Sequence, residues 1–238
     1  MTFSLKFGLA GCGFQLDTDS RRIYDFWAAY AGAFDAAGAA DFTYLARTKG
    51  GFFFARKGEP PMETDNEGRL IEWVEKTFLF DLAETLTGQG WRMLHAAGLA
   101  DGDAADVYLG QSGVGKSTWC VRQIQAGRTY LSDELVAVKE GRVMALPRPV
   151  CFVNRETRAL SYPLPEDGFT RISYHFGADY EYEGFCPPPE RTARAGQIFT
   201  WRTTSLLERD PGRDTTARLL EGAELRARLA LSTFREYR

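Results

Sequence analysis

The chain is poor in lysine, in histidine and in paired cysteine. Of 29 basic residues only six are lysines and two further residues are histidines, so arginine is the main cation. Thirty-two acidic residues outweigh them and leave a net charge of −3, which argues against a basic groove built for nucleic acid. Cys12, Cys120, Cys151 and Cys186 stand far apart with no C-x-x-C pair. Metal-ligand spacing is missing, and the thiols read as reduced and mostly buried. Met1-Thr-Phe-Ser-Leu-Lys6 lacks the apolar run of a secretory leader. No stretch approaches the roughly 18–20 apolar residues of a membrane span. These absences lead us to expect a cytoplasmic protein with neither a membrane nor a nucleic-acid partner.

What remains is an ordinary globular composition, 44% apolar and 26% charged over 238 residues. That length suffices to bury a core without disulfides or metals, as one large α/β domain or one domain with a small extension. Residues 3–9 alternate as an edge strand does, with a Gly-Cys-Gly turn at 11–13. Ser20 stands as an N-cap before Ile23, Phe26, Trp27 and Tyr30, a helical apolar face. Residues 42–47 and 51–56 read as two strands, and Gly/Pro punctuation follows at 58–61. Leu70, Val74, Phe78, Leu82 and Leu86 recur every four residues, with Ile71 and Leu79 beside them, so a core helix is expected there, ended by Gly88 and Gly90. Residues 91–99 read as a strand, 101–106 as an acidic hairpin turn and 107–109 as a short strand. A helix follows with Trp119, Cys120, Val121 and Ile124 on its buried side. Strands are expected at 129–131, 135–138 and 142–146. Residues 147–202 are rich in proline, aromatics and short strand-like pieces, and 213–234 read as helical with a break near Gly222.

Between the strand ending at Leu109 and that helix lies Gly110-Gln111-Ser112-Gly113-Val114-Gly115-Lys116-Ser117, a full G-x-x-x-x-G-K-[ST] match. The spacing has a mechanical reason. Glycines let the loop fold back so that successive backbone N–H groups converge on phosphate oxygens, and the following helix directs its positive end at the same anion. Lys116 is placed to reach the β- and γ-phosphates, and Ser117 presents a hydroxyl to Mg²⁺. Gly110 through Thr118 are therefore the expected nucleotide-binding residues. There is no LSGGQ-like signature, no N-K-x-D motif and no D-x-x-G switch in a plausible position. Seventeen positions after Lys116 comes Asp133-Glu134, at the end of an apolar segment. Paired carboxylates there suit two tasks, holding Mg²⁺ and accepting a proton from an attacking hydroxyl. Arg148, Arg155 and Arg202 are candidates for stabilising transition-state charge, with Arg148 favoured because Pro147 and Pro149 fix its backbone.

Leu94-His95-Ala96-Ala97, then Gly110 to Thr118, then Leu131-Ser132-Asp133-Glu134 resemble, in order and spacing, the catalytic domain of the HPr kinase/phosphorylase group of serine kinases, over about residues 90–150. Pro147-Arg148-Pro149 looks like the PRP element common in HPr kinase-related proteins. Thr118 stands where those kinases usually carry an acid, and their E-R-G-x-G signature is missing, so the shorter HPr kinase-related proteins are the better comparison. The resemblance implies an α/β fold of phosphoenolpyruvate carboxykinase-like type, with a mixed sheet around the P-loop helix. Residues 91–238 would form the catalytic portion, with 1–90 an α/β portion packed on it. It also implies roles: Asp133 as catalytic base, His95 beside the transferring phosphate, and Glu134 with Ser117 as Mg²⁺ ligands. Lys116 and Arg148 would complete the catalytic set. The expected activity is ATP- and Mg²⁺-dependent phosphorylation of a hydroxyl, that of a serine on a peptide or small protein, in a chain that can form homo-oligomers. The alternative is a nucleotide-binding regulatory or assembly ATPase with no acceptor but water.

Overall fold

The computed structural model describes residues 1–151, 168–175, 181–209 and 214–233. It is a mixed α/β structure built mostly of sheet. β1 (Phe3–Leu9) and β2 (Cys12–Thr18) form a hairpin paired from Phe3–Thr18 to Leu9–Cys12. Ala10 and Gly11 turn it with φ of 51° and 82°, the double positive φ of a type I′ turn, whose twist suits paired strands. The turn is thus tighter than the glycine pattern at 11–13 implied, and Cys12 and Gly13 already belong to β2. Gly13 serves packing, because a Cβ there would lie 1.8 Å from the Ala39 carbonyl oxygen.

Ser20 caps α1 (Arg21–Tyr30), its hydroxyl oxygen accepting the Ile23 N–H, and Ile23, Phe26, Trp27 and Tyr30 form the buried face. The crossover through α1 makes β3 (Phe42–Arg47) parallel to β2, while β4 (Phe52–Arg56) and β5 (Met62–Thr64) continue antiparallel. Capped by Asn66, α2 (Glu67–Gly88) buries Leu70, Ile71, Val74, Phe78, Leu82 and Leu86, the expected stripe. The same face carries two acids, Glu75 and Asp81, each only 3% exposed. Asp81 accepts the Tyr44 hydroxyl at 2.6 Å and pairs with Arg56 at 2.7 Å, tying the helix to β3 and β4.

The second sheet begins with β6 (Arg92–His95) and β7 (Ala97–Asp101), where a single strand was expected. The chain changes partners at Ala96, so the strand breaks. β8 (Ala104–Leu109) follows and leads through the glycine loop into α3 (Lys116–Gln125). Then come β9 (Thr129–Ser132), β10 (Leu135–Lys139) and β11 (Arg142–Met144). β12 (Val150–Cys151), β13 (Thr170–His175) and β14 (Glu181–Cys186) make a separate three-stranded sheet. β15 (Ile198–Glu208) returns to the large sheet, parallel to β8 and antiparallel to β11. β16 (Thr216–Leu219) pairs with β15, and α4 (Gly222–Leu231) closes the described chain. Residues 216–219 were expected to be helical. β-branched Thr215 and Thr216 and the open edge of β15 favour pairing instead, and the helix starts only at Gly222.

Within the large sheet the order is β6-β10-β11-β15-β8-β7-β9. Its ends approach each other: β6 pairs with β10, and β7 pairs with β9. Two consecutive strands thus face two consecutive strands, and both breaks fall at one level, Ala96 on one side and Asp133-Glu134 on the other. The Ala96 N–H donates to the Glu134 carbonyl at 3.1 Å across them. Core residues of the first sheet and α2 also pack with Met93, Leu135, Ala137 and Met144 of the second, and with Leu146 just after β11. Among the described residues no helix is long and apolar enough to cross a membrane.

Two glycines separate packing from helix propensity. Gly13→Ala forces a Cβ into the Ala39 carbonyl and is expected to cost about 3 kcal/mol. At Gly88, which is helical and where a Cβ meets nothing within 4 Å, alanine should add about 0.5–1 kcal/mol. Urea midpoints moving in opposite directions would bear this out.

Candidate functional site

The glycine loop sits where the sequence requires it, between buried β8 and the first turn of α3. Gly113 and Gly115 take φ of 85° and 102°, left-handed conformations that side chains rarely adopt. At Gly115 space also forbids a side chain, since a Cβ would lie 2.6 Å from the Thr215 hydroxyl. That hydroxyl donates to the Val114 carbonyl at 2.9 Å, so the segment entering β16 clasps the loop. Gln111, Ser112 and Gly113 are exposed, Thr118 is half-buried, and Lys116 is only 7% exposed. The Lys116 ammonium lies inside the curl, donating to the Gly110 and Gln111 carbonyls at 3.0 and 3.3 Å.

Asp133 follows the last residue of β9, at the ladder break, and is 5% exposed. Its carboxylate has two fixed contacts. The Ser117 hydroxyl, from the first turn of α3, donates to Oδ2 at 2.7 Å, and the Tyr130 phenol lies 2.9 Å from Oδ1. The same phenol lies 3.0 Å from the Arg148 carbonyl oxygen. One phenolic proton can serve one of these acceptors at a time. When Asp133 is ionised the phenol donates to Oδ1; a protonated carboxyl can instead donate to the phenol oxygen and leave the phenol to donate to the Arg148 carbonyl. Burial raises the Asp133 carboxyl above its ordinary range, although Arg148 and the bonds from Ser117 and Tyr130 pull the other way.

Glu134, the next residue, behaves oppositely. It is half-exposed and pairs with the His95 imidazole, Nε2 to Oε1 3.2 Å. Burial works to raise it, but His95, Arg148 and Lys116 outweigh that and hold it at about 2. His95 itself is fixed at the end of β6, its backbone N–H donating to the Ser232 carbonyl at 2.7 Å.

Arg148 reaches the site from the proline-flanked segment after β11 and pairs with Glu75 of α2 at 2.9 Å, both side chains nearly out of solvent. Burial disfavours its charge, but Glu75, Glu134 and Asp133 overcome this and hold it firmly protonated. Burial also raises Glu75, against the attraction of Arg148. Of the other arginine candidates, Arg155 lies outside the described residues. Arg202 is held at the opposite end of β8, donating to both oxygens of Asp106 at 3.0 and 2.7 Å. Arg128 and Thr203 complete that group at 2.7 and 2.6 Å. The Asp106 carboxyl falls to about 2 because these donors exceed the effect of its burial.

The fold therefore gathers Lys116, Ser117, Asp133, Glu134, His95 and Arg148 around the mouth of the glycine loop. Ser117 contacts Asp133, while Glu134 is turned to His95. Among the described residues no three His, Cys, Asp or Glu side chains converge as a metal cage. Mg²⁺ beside a nucleotide needs less, commonly one or two protein oxygens with phosphates and water, the number that the Ser117 hydroxyl and the Glu134 carboxylate would supply. Sequence reasoning missed Tyr130, Glu75 and Thr215. Glu75 carried a signal, an acid amid the apolar stripe of Ile71, Val74 and Phe78. Tyr130 and Thr215 carried none, since their roles depend on contacts that only the folded chain makes. No protein-family model matches the chain, and no curated protein matches it.

Two measurements probe this electrostatic layout. Glu75→Ala removes the ion-pair partner of buried Arg148 and should cost about 3–5 kcal/mol in urea denaturation, whereas Glu75→Leu with Arg148→Met should recover most of that loss. The second concerns Glu134. Because its folded value lies below the ordinary one near 4.3, the pairing adds stability above that pH and loses it as pH falls toward 2. Exposure keeps the contribution small. In His95→Ala the Glu134 carboxyl ¹³C titration should move up from about 2 toward its ordinary position.

Proposed function

We propose that the chain is a P-loop phosphotransferase of the HPr kinase-related type, with the phosphoenolpyruvate carboxykinase-like fold, transferring the γ-phosphoryl group of ATP to a hydroxyl. The acceptor is a serine of a peptide or small protein. The observation that carries this reading is the 2.7 Å hydrogen bond from Ser117, at the end of the glycine loop, to the buried Asp133 carboxylate. It joins the phosphate-binding element to a carboxylate with the burial that makes a base stronger.

In this reading the loop amides and the start of α3 receive the β- and γ-phosphates. Lys116, held against the Gly110 and Gln111 carbonyls, exchanges them for phosphate oxygens at little cost in motion. Ser117 and Glu134 would hold Mg²⁺, and the ion would supply neutralising charge to the phosphates. Asp133 takes the proton of the acceptor hydroxyl as its oxygen attacks phosphorus, and ADP leaves with the bridging oxygen. Arg148 and Lys116 place positive charge where the transition state spreads its negative charge.

The test is Asp133→Asn. Transfer from γ-labelled ATP to acceptor peptides should fall by about 10²–10⁴-fold, with nucleotide affinity within about twofold of wild type. Normal transfer by this variant would overturn the assignment. Phosphate release to water, unaltered by any peptide offered, would favour a regulatory or assembly ATPase.

A further inference from the structure

Resting on that reading, we infer that Tyr130 is a positioning residue for Asp133: its buried phenol fixes the direction in which the carboxylate meets the acceptor hydroxyl. Asp133 stands at the gap between β9 and β10, where ladder hydrogen bonds stop constraining the chain. Its orientation therefore rests on the two contacts its oxygens make. The one from Ser117 belongs to the first turn of α3 and shifts with the glycine loop. The one from Tyr130 is anchored in the interior.

Several observations make that anchor rigid. Tyr130 is fully buried. Its ring belongs to the cluster of Leu99, Cys120, Val150 and Phe185. Its carbonyl accepts the Ala193 N–H at 3.0 Å, and it pairs with Leu99 in the β7–β9 ladder. From this base the hydroxyl stands 2.9 Å from Asp133 Oδ1 and 3.0 Å from the Arg148 carbonyl. It thereby spaces the carboxylate from the segment that delivers Arg148. A buried phenol is costly without hydrogen-bond partners, and one of its two partners here is the proposed base. The geometric demand on a base is strict, since small misplacements lower turnover by orders of magnitude. Tyr130 need not touch either substrate to affect rate.

The test uses the full chain, γ-labelled ATP with Mg²⁺, and a pool of synthetic serine-containing peptides. Tyr130→Phe keeps the ring and removes the hydroxyl. Its kcat should fall about tenfold, while KM for the peptide and the dissociation constant for ATP stay within about twofold. Replacing Tyr130 by 4-aminophenylalanine returns an N–H donor and should restore kcat. The 4-methyl analogue fills the same volume without a donor and should not, and this pair decides the matter even if the Phe variant folds poorly. Equal kcat for the amino and methyl analogues overturns the inference. So does a proportional loss of kcat and nucleotide affinity, which marks a purely structural role. Full transfer by Asp133→Asn, or no transfer at all by the wild-type chain, instead overturns the kinase reading on which the inference stands.

Discussion

A guanidinium buried in an apolar interior must be surrounded by negative charge, and Arg148 organises much of this protein by that requirement. Taking an arginine out of water costs several kcal/mol unless its charge is matched. Glu75 matches it at 2.9 Å, and that glutamate comes from α2, which packs on the other sheet. Asp133 and Glu134 contribute from farther away. Three carboxylates and one cation thus define a single electrostatic unit drawn from α2, the β9–β10 gap and the segment after β11. The pair also joins the halves of the chain, since Glu75 of α2 is the group that most favours the Arg148 charge.

The second constraint is geometric. An uninterrupted ladder would make successive side chains alternate between the two faces of the sheet. The paired breaks at Ala96 and at Asp133-Glu134 suspend that rule where the glycine loop ends. Thr215, reaching the Val114 carbonyl from the entry to β16, closes the loop from the far side. The break places both acids beside the end of the glycine loop, with Asp133 against Ser117 and Glu134 against His95.

This explains what could be read in the linear chain and what could not. Elements with a local signal were legible: α2 from its four-residue stripe, α1 from Ser20 and its apolar face, β3 and β4 as two strands joined by Thr48-Lys49-Gly50. The glycine loop was legible because its spacing is set by local backbone geometry. The break at Ala96 was not, because residues 91–99 look like one strand and only the exchange of partners divides them. Residues 216–219 misled for a related reason, as their composition allows a helix and the free edge of β15 decides for a strand. Among site residues, Lys116, Ser117 and Asp133 follow from motif and spacing. Tyr130 depends on tertiary neighbours and reads as an ordinary core aromatic, whereas Glu75 stands out as an acid in the apolar stripe but meets its partner Arg148 only in the fold.

Asp133 and Glu134 are adjacent, yet their surroundings push their protonation in opposite directions. Burial dominates at Asp133 and raises it, whereas at Glu134 the donors and cations prevail and hold it at about 2. Two carboxyls driven apart in this way are suited to different tasks, because a base must be able to accept a proton and an electrostatic partner must not. In the proposed reaction this assigns proton acceptance to Asp133 and permanent negative charge to Glu134. The division does not come from residue type, since aspartate and glutamate differ little in water. It comes from their surroundings: Asp133 is buried beside Tyr130 and Ser117, and Glu134 is half-exposed beside His95.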